Sequence, residues 1–200
     1  MVVVWGVVIG MSTVWLFTGD SVTQGALHTF GWRDYTQLFA ERVRFELNRP
    51  SDVVINTGVS GQKVSQLDVE NAVLRHRPDV VVLMFGLNDC VAGPAGLAAF
   101  ARDYAAVVSR VREAGATVVL QTPNRAPESG WADLPAYAEV VRSLEADVLV
   151  DHHAAWDGGE HWMGSGCHPN EYGHRALARN LLRALGLWEP VGVSGSLFIP

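Results

Sequence analysis

Two hundred residues with 48% hydrophobic and 18% charged side chains suit one α/β domain burying about 70% of its unfolded surface, and exclude a disordered chain. A formal net charge of −6, with no basic cluster, argues against a nucleic-acid partner. Two cysteines, Cys90 and Cys167, are too few for a disulfide framework.

Met1 to Phe17 carries no charge. That is shorter than the roughly 20 residues needed to cross a bilayer, and it has neither a basic start nor a small-residue cleavage site. The expectation is no membrane span and a cytoplasmic protein. Val2–Ile9, rich in β-branched residues, predicts an extra strand within residues 1–12. Thr13 to Phe17 reads as the first core strand and runs into Gly19-Asp20-Ser21. Trp32 to Leu47 spaces Tyr35, Leu38, Phe39, Val43 and Leu47 as a helix does, and Asn48-Arg49-Pro50 stops it. Val53–Ile55 predicts a short buried strand leading into Asn56-Thr57-Gly58. Gln62 to Arg75 predicts a helix with Val64, Leu67 and Val73 as a partial apolar stripe. Asp79 to Phe85 has the continuous apolar run of a central parallel strand. Leu97 to Arg112 is the clearest amphipathic helix, with Leu97, Phe100, Tyr104, Val107, Val108 and Val111 on one face. Thr117–Leu120 and Asp147–Val150 predict the fourth and fifth strands, with a helix over Pro135–Leu144 between them. Asn170 can cap a last helix that buries Leu177, Leu181 and Leu185 and ends at Gly186. No linker or repeat divides the chain. It reads as one domain over 1–200, with its core at about 13–187 and an apolar tail at 188–200 that pairs with the amino-terminal run or covers the surface.

Strands alternating with helices imply a parallel sheet with right-handed crossovers and helices on both faces. Ser21 then stands at the carboxyl edge of that sheet, where ligands bind in such folds. Gly-Asp-Ser alone is also ordinary turn chemistry. Three later stretches each follow or close an apolar run: Asn56-Thr57-Gly58-Val59-Ser60-Gly61, Gly86-Leu87-Asn88-Asp89 and Cys167-His168-Pro169-Asn170. In order and rough spacing the four blocks resemble the SGNH (GDSL-type) hydrolases, over roughly Thr13 to Leu187. The resemblance implies a flavodoxin-like three-layer α/β/α sandwich around a mostly parallel five-stranded sheet. It implies an esterase working through an acyl-serine, without metal or organic cofactor. Ser21 would be the nucleophile, and the backbone N–H groups of Ser21 and Gly58 with the Asn88 side chain would form the oxyanion hole. The chain departs from the family pattern at one place: where an Asp usually stands three residues before the catalytic His, it has Ser165.

The residues read alone give the same chemistry. A serine hydroxyl needs a base to take its proton, and imidazole titrates near neutral pH. His168, braced by Pro169 and the helix after Asn170, fits that role better than His161 in Asp157-Gly158-Gly159-Glu160-His161, whose spacing is one residue too long. Some group must orient His168: the Ser165 hydroxyl, a backbone carbonyl in 164–166, which is favoured and gives a Ser-His dyad, or the carboxylates of Asp157 or Glu160. Five histidines between residues 152 and 174 invite a zinc reading, but His152 and His153 are adjacent and would point apart. Cys90 and Cys167 both adjoin motif residues and are expected at the pocket. The expected substrate is a small-molecule ester, with an O-acetylated carbohydrate fitting a loop-built pocket ringed by tryptophans. A thioesterase or acyltransferase would use the same residues. A binding protein that kept the pocket without catalysis is the reading from a different class.

Overall fold

The computed structural model describes residues 2–4, 7–9, 12–25, 29–126 and 129–191. Five parallel strands form its centre: β3 (Val14–Gly19), β4 (Val53–Asn56), β5 (Val80–Met84), β6 (Thr117–Gln121) and β7 (Val148–Val150). Their spatial order is β4-β3-β5-β6-β7. The three inner strands, β3, β5 and β6, are largely apolar and buried, as a doubly covered parallel sheet requires. This is the expected α/β architecture, and every ladder in the sheet is parallel.

Five α-helices accompany the strands: α1 (Ser21–Gln24), α2 (Tyr35–Glu41), α3 (Leu97–Glu113), α4 (Leu134–Ser143) and α5 (Glu171–Ala184). α3 buries Phe100, Tyr104, Val107, Val108 and Val111, so five of its six predicted stripe residues are fully packed. α2 starts at a capping box in which Asp34 and Gln37 each bond the other's backbone N–H. It continues as a π-helical stretch, Arg42–Glu46.

Three expectations are corrected. Residues 62–75 do not form one helix. Val64–Gln66 is a 3₁₀ turn, Leu67 is extended, and a π-type stretch starts only at Val69. Asp68 accepts the Asn71 N–H at 3.1 Å, and this local cap competes with a continuous helix while Val64, Leu67 and Val73 stay buried. Val53–Ile55 lies at the sheet edge rather than inside it, with Val53 46% exposed. The amino-terminal run is two strands, β1 (Val2–Val4) and β2 (Val7–Ile9), which pair antiparallel as a sheet of their own. Of the tail, residues 192–200 lie outside the described residues. The last two strands, β8 (Met163–Ser165) and β9 (His168–Pro169), form a short antiparallel ladder before α5.

The amino edge of the sheet repeats one device. Asp52, Asp79 and Asp147 each stand just before a strand and accept an N–H at or beside the start of the strand alongside: Thr13 at 3.1 Å, Val14 at 2.7 Å and Val118 at 2.7 Å. Asp52 is the most heavily used. Its carboxylate also takes the Trp15 indole N–H at 3.0 Å and two Arg49 donors at 2.9 and 2.8 Å, while 2% exposed. Removing one partner of a buried, hydrogen-bonded pair strands the rest. Asp52→Ala should therefore lower unfolding free energy by about 3 kcal/mol in urea titration, leaving the turnover of the folded fraction unchanged. A loss below about 1 kcal/mol, the size of one ordinary hydrogen bond, would show that the bracket is not what joins β3 to β4.

Candidate active site

At the opposite, carboxyl edge, β3 ends in Gly19 and the chain turns at once into α1. A Cβ on Gly19 would lie 2.4 Å from the Met84 carbonyl oxygen and from Thr23 Oγ1, so only glycine fits beside β5. Asp20 caps the new helix by accepting the Val22 N–H at 3.0 Å. Burial pushes its carboxyl up to about 7, with the nearby Asp89 adding to the rise and the Val22 bond opposing it. Ser21 follows, 6% exposed. Its Oγ lies 2.8 Å from His168 Nε2.

His168 is held by its neighbours on both sides. It sits on β9 directly across from Ser165 of β8. Asn170 accepts the N–H groups of Tyr172 and Gly173 and donates to the carbonyls of His161 and Met163 at 2.8 and 3.2 Å. Cys167 Sγ lies 3.9 Å from His168 Nδ1. Of the residues put forward to orient the ring, Ser165 is adjacent, whereas Asp157 and Glu160 are exposed and line a surface cavity with Arg125, Ala126, Trp156 and Gly159. Both cysteines are free thiols. Cys90 belongs to the core, its Sγ bonded to the Leu87 carbonyl at 3.3 Å, and burial, then Asp89 and Asp133, push it up to about 11.

The second block wraps α1. Val59 N–H donates to the Gly19 carbonyl at 3.0 Å, and the Ser60 N–H and hydroxyl both reach Gln24 Oε1 at 2.8 and 2.6 Å. Asn56 bridges the parts: its Nδ2 donates to the Thr23 carbonyl at 2.6 Å and Thr36 Oγ1 at 3.1 Å, and its Oδ1 accepts the Gly58 N–H at 2.9 Å. Here the geometry differs from expectation. The Gly58 N–H is committed to Asn56, and what requires glycine is close approach, since a Cβ would lie 2.6 Å from Gln24 N. Gly61, at φ +79°, has no backbone N–H partner among the described residues. Asn88 reaches the same loop, donating from Nδ2 to the Gln62 carbonyl at 3.1 Å. Asp89 is turned inward to accept the Val64 N–H at 3.1 Å, and burial raises its carboxyl.

Beneath the site runs a buried polar chain that motif reading missed. Gln121 Nε2 donates to the Tyr35 hydroxyl at 3.2 Å, and the Tyr35 and Thr23 hydroxyls share a hydrogen bond at 3.0 Å. His152 Nε2 meets Gln121 Oε1 at 2.9 Å, so that nitrogen carries the hydrogen. Tyr35 N–H donates to His174 Nδ1 at 3.3 Å, and the two rings stack. Burial drives both imidazoles down to about 3, with His168 adding to the effect on His174. Among the described residues no group of three or more His, Cys, Asp or Glu side chains converges as a metal site.

The sequence profile of the GDSL-like Lipase/Acylhydrolase family matches residues 17–176. Solved structures similar in fold include the acetyl xylan esterase AlAXEase, at 24% identity over 86% of this chain and 99% of that one, with a TM-score of 0.74. An acetylxylan esterase from Geobacillus stearothermophilus is 23% identical over 90% of this chain and 97% of its own, TM-score 0.75. An alpha/beta hydrolase from the metagenome of Lake Arreo, Spain, is 21% identical over 88% and 96%, TM-score 0.75. A stretch of 78 residues is 37% identical to an uncharacterized protein of Mycoplasma pneumoniae, covering 38% of this chain and 9% of that protein's length.

Two outcomes follow from this geometry. Gly58→Ala should push on the Thr23–Gln24 backbone and displace Ser21, lowering kcat by about 100-fold, as a displacement near 1 Å can, in a protein that still folds by circular dichroism. Unchanged kcat would show that α1 tolerates the shift. The two buried imidazoles are depressed, so the stability they contribute is present above about pH 6.5 and lost as pH falls toward 3. Each removes up to about 1.4 kcal/mol per pH unit. His174→Gln should be less stable at pH 7 yet show a shallower decline of the urea midpoint between pH 6.5 and 4. An equally steep decline would assign the acid sensitivity to other groups.

Proposed function

The chain belongs to the GDSL-like lipase/acylhydrolase family, whose members are carboxylic ester hydrolases, and from that premise we propose that it is a serine esterase in which Ser21 is the nucleophile and His168 the general base. The observation that carries this is the 2.8 Å contact from Ser21 Oγ to His168 Nε2. As Oγ attacks the ester carbonyl carbon, Nε2 takes its proton and the carbonyl π pair moves onto oxygen. The resulting oxyanion is met by the Ser21 N–H and the second Nδ2 hydrogen of Asn88. The third donor in this reading is the Gly61 N–H, because the Gly58 N–H already serves Asn56. Collapse expels the alkoxide, which takes the proton from His168. Water activated by the same nitrogen then releases the acid from Ser21.

We take the ester to carry a small acyl group on a carbohydrate. Phe30 and Trp32, 77% and 57% exposed, lie between α1 and α2. Arg175 packs over the rings of both Trp32 and Tyr172, and Tyr172 is in the first turn after His168-Pro169-Asn170. This gives an aromatic rim on the α5 side of the dyad, suited to stacking on a sugar ring. The fold neighbours named as acetyl xylan esterases support the same reading.

Ser21→Ala should abolish p-nitrophenyl acetate turnover and shift stability by no more than about 1 kcal/mol, one hydrogen bond's worth. Activity above a few per cent of wild type would remove Ser21 as nucleophile. Asn88→Ala should lower kcat by roughly 100- to 1000-fold with a smaller effect on KM. An effect confined to KM would make Asn88 a ground-state contact only.

A further inference from the structure

The β8–β9 ladder that carries His168 is short and irregular, with two register pairs and a shift between them. Something outside it must fix the ring against Ser21. Asn170 holds its far end, through the carbonyls of His161 and Met163. On the near side the structure offers Asn124, in the loop just past the carboxyl end of β6. Its Nδ2 donates to the Cys167 carbonyl at 3.1 Å and to the Arg125 carbonyl at 2.9 Å, with the residue fully buried. The Cys167 carbonyl belongs to the peptide whose nitrogen is that of His168. Both partners are carbonyl oxygens, so only a two-hydrogen donor fits between them.

Asn124 itself stands on a rigid base. The Thr122 hydroxyl donates to Asp151 at 3.0 Å and accepts the His153 N–H at 2.9 Å. Asp151 is gripped by Arg142 through two bonds at 2.8 and 3.0 Å, and these, with the Ala154 N–H, outweigh its burial and hold its carboxyl down at about 2. Arg125 Nε adds a bond to the His153 carbonyl at 2.8 Å. An unbroken line of short contacts thus runs from α4 through the β6 and β7 edge to the peptide before His168.

We propose that Asn124 is a positioning residue for the esterase reaction: it fixes the Cys167–His168 peptide so that Nε2 faces the Ser21 hydroxyl. The inference rests on the Ser21–His168 reading above. It predicts a specific chemical requirement, a donor at this point, and not merely a filled volume.

The test is steady-state hydrolysis of p-nitrophenyl acetate between pH 5 and 9 by wild type, N124A, N124D and S21A, each checked for folding by circular dichroism. N124A should lose about 10- to 100-fold in kcat at every pH with KM within about twofold, as expected for loss of alignment without loss of binding. In N124D the introduced carboxyl can donate only while protonated, and burial raises its pKa. Its kcat relative to wild type should therefore fall as pH rises, a slope that N124A lacks. The ionisable groups on the segments bonded to this position are Arg125, Cys167 and His168; a carboxylate that acted only by raising the His168 pKa would make the N124D ratio rise with pH, the opposite slope. A kcat for N124A within twofold of wild type, or a ratio for N124D that is flat with pH, overturns the proposal. Where N124A fails to fold, the volume-conserving N124D decides by the same slope. If S21A retains activity, the nucleophile assignment fails instead. A silent S21A with normal Asn124 variants removes only this inference.

Discussion

The contact between Ser21 Oγ and His168 Nε2 joins residues 147 apart in sequence, and most of the structure at the carboxyl edge can be understood as the means of keeping it. A 2.8 Å approach between a side chain on a four-residue helix and one on a two-residue strand leaves little intrinsic rigidity on either side. Neither element would hold its shape alone, since short helices and isolated ladders are marginal in water. The order comes from polar side chains borrowed from elsewhere: Asn56 and Gln24 clamp the serine helix to the 58–62 loop, while Asn124 and Asn170 clamp the histidine. Each clamp is an amide side chain bonded to backbone groups, and the buried one, Asn124, avoids the cost of desolvating a charge.

The two edges of the sheet differ in how far they rely on charge. At the amino edge, aspartates accept strand N–H groups, and the Arg49–Asp52 and Arg112–Asp147 pairs place cations beside them. At the carboxyl edge neutral side chains stand among the charged ones: Asn56, Asn124, Gln121, Tyr35 and two imidazoles kept unprotonated by burial share the bracing with Asp20, Asp89 and the Arg142–Asp151 pair. In the proposed mechanism a proton moves to His168 and negative charge builds on the substrate, and the neutral amides add no fixed charge to bias either step.

Much of this was legible in the sequence. The five sheet strands, α3 and α5 follow from apolar runs and periodicity, and Ser21, Asn88 and His168 stand out because glycine and proline mark their loops. The braces were not legible. A lone Asn or Gln after a strand carries no periodic signal, and its partners are distant: Asn124 to Cys167 spans 43 residues, and Gln121 to Tyr35 spans 86. Gly58 and Gly61 show the same limit. Both are glycines in one motif, and only the bond from the Gly58 N–H to Asn56 separates a glycine needed for close approach from one with a free N–H. The failed helix over 62–75 had its apolar spacing read correctly, yet Asp68 capped a new turn in its middle, which spacing alone does not show.

Asp20 is where stability and chemistry pull against each other most directly. It adjoins Ser21, is almost fully buried, and its carboxyl accepts the Val22 N–H, with no cation bonded to it among the described residues. Burial raises its carboxyl to about 7, so the stability tied to its neutral form is present below about pH 4 and lost as pH rises through 7. A cation beside Asp20 would relieve that cost. It would also place a full carboxylate, or an ion pair, next to Ser21, the proposed nucleophile. Left unpaired, the carboxyl is only partly ionised at neutral pH and opposes the oxyanion less, while still able to accept the Val22 N–H that starts the helix. With Ser21 as the proposed nucleophile, the stability given up at neutral pH leaves less fixed negative charge beside the developing oxyanion.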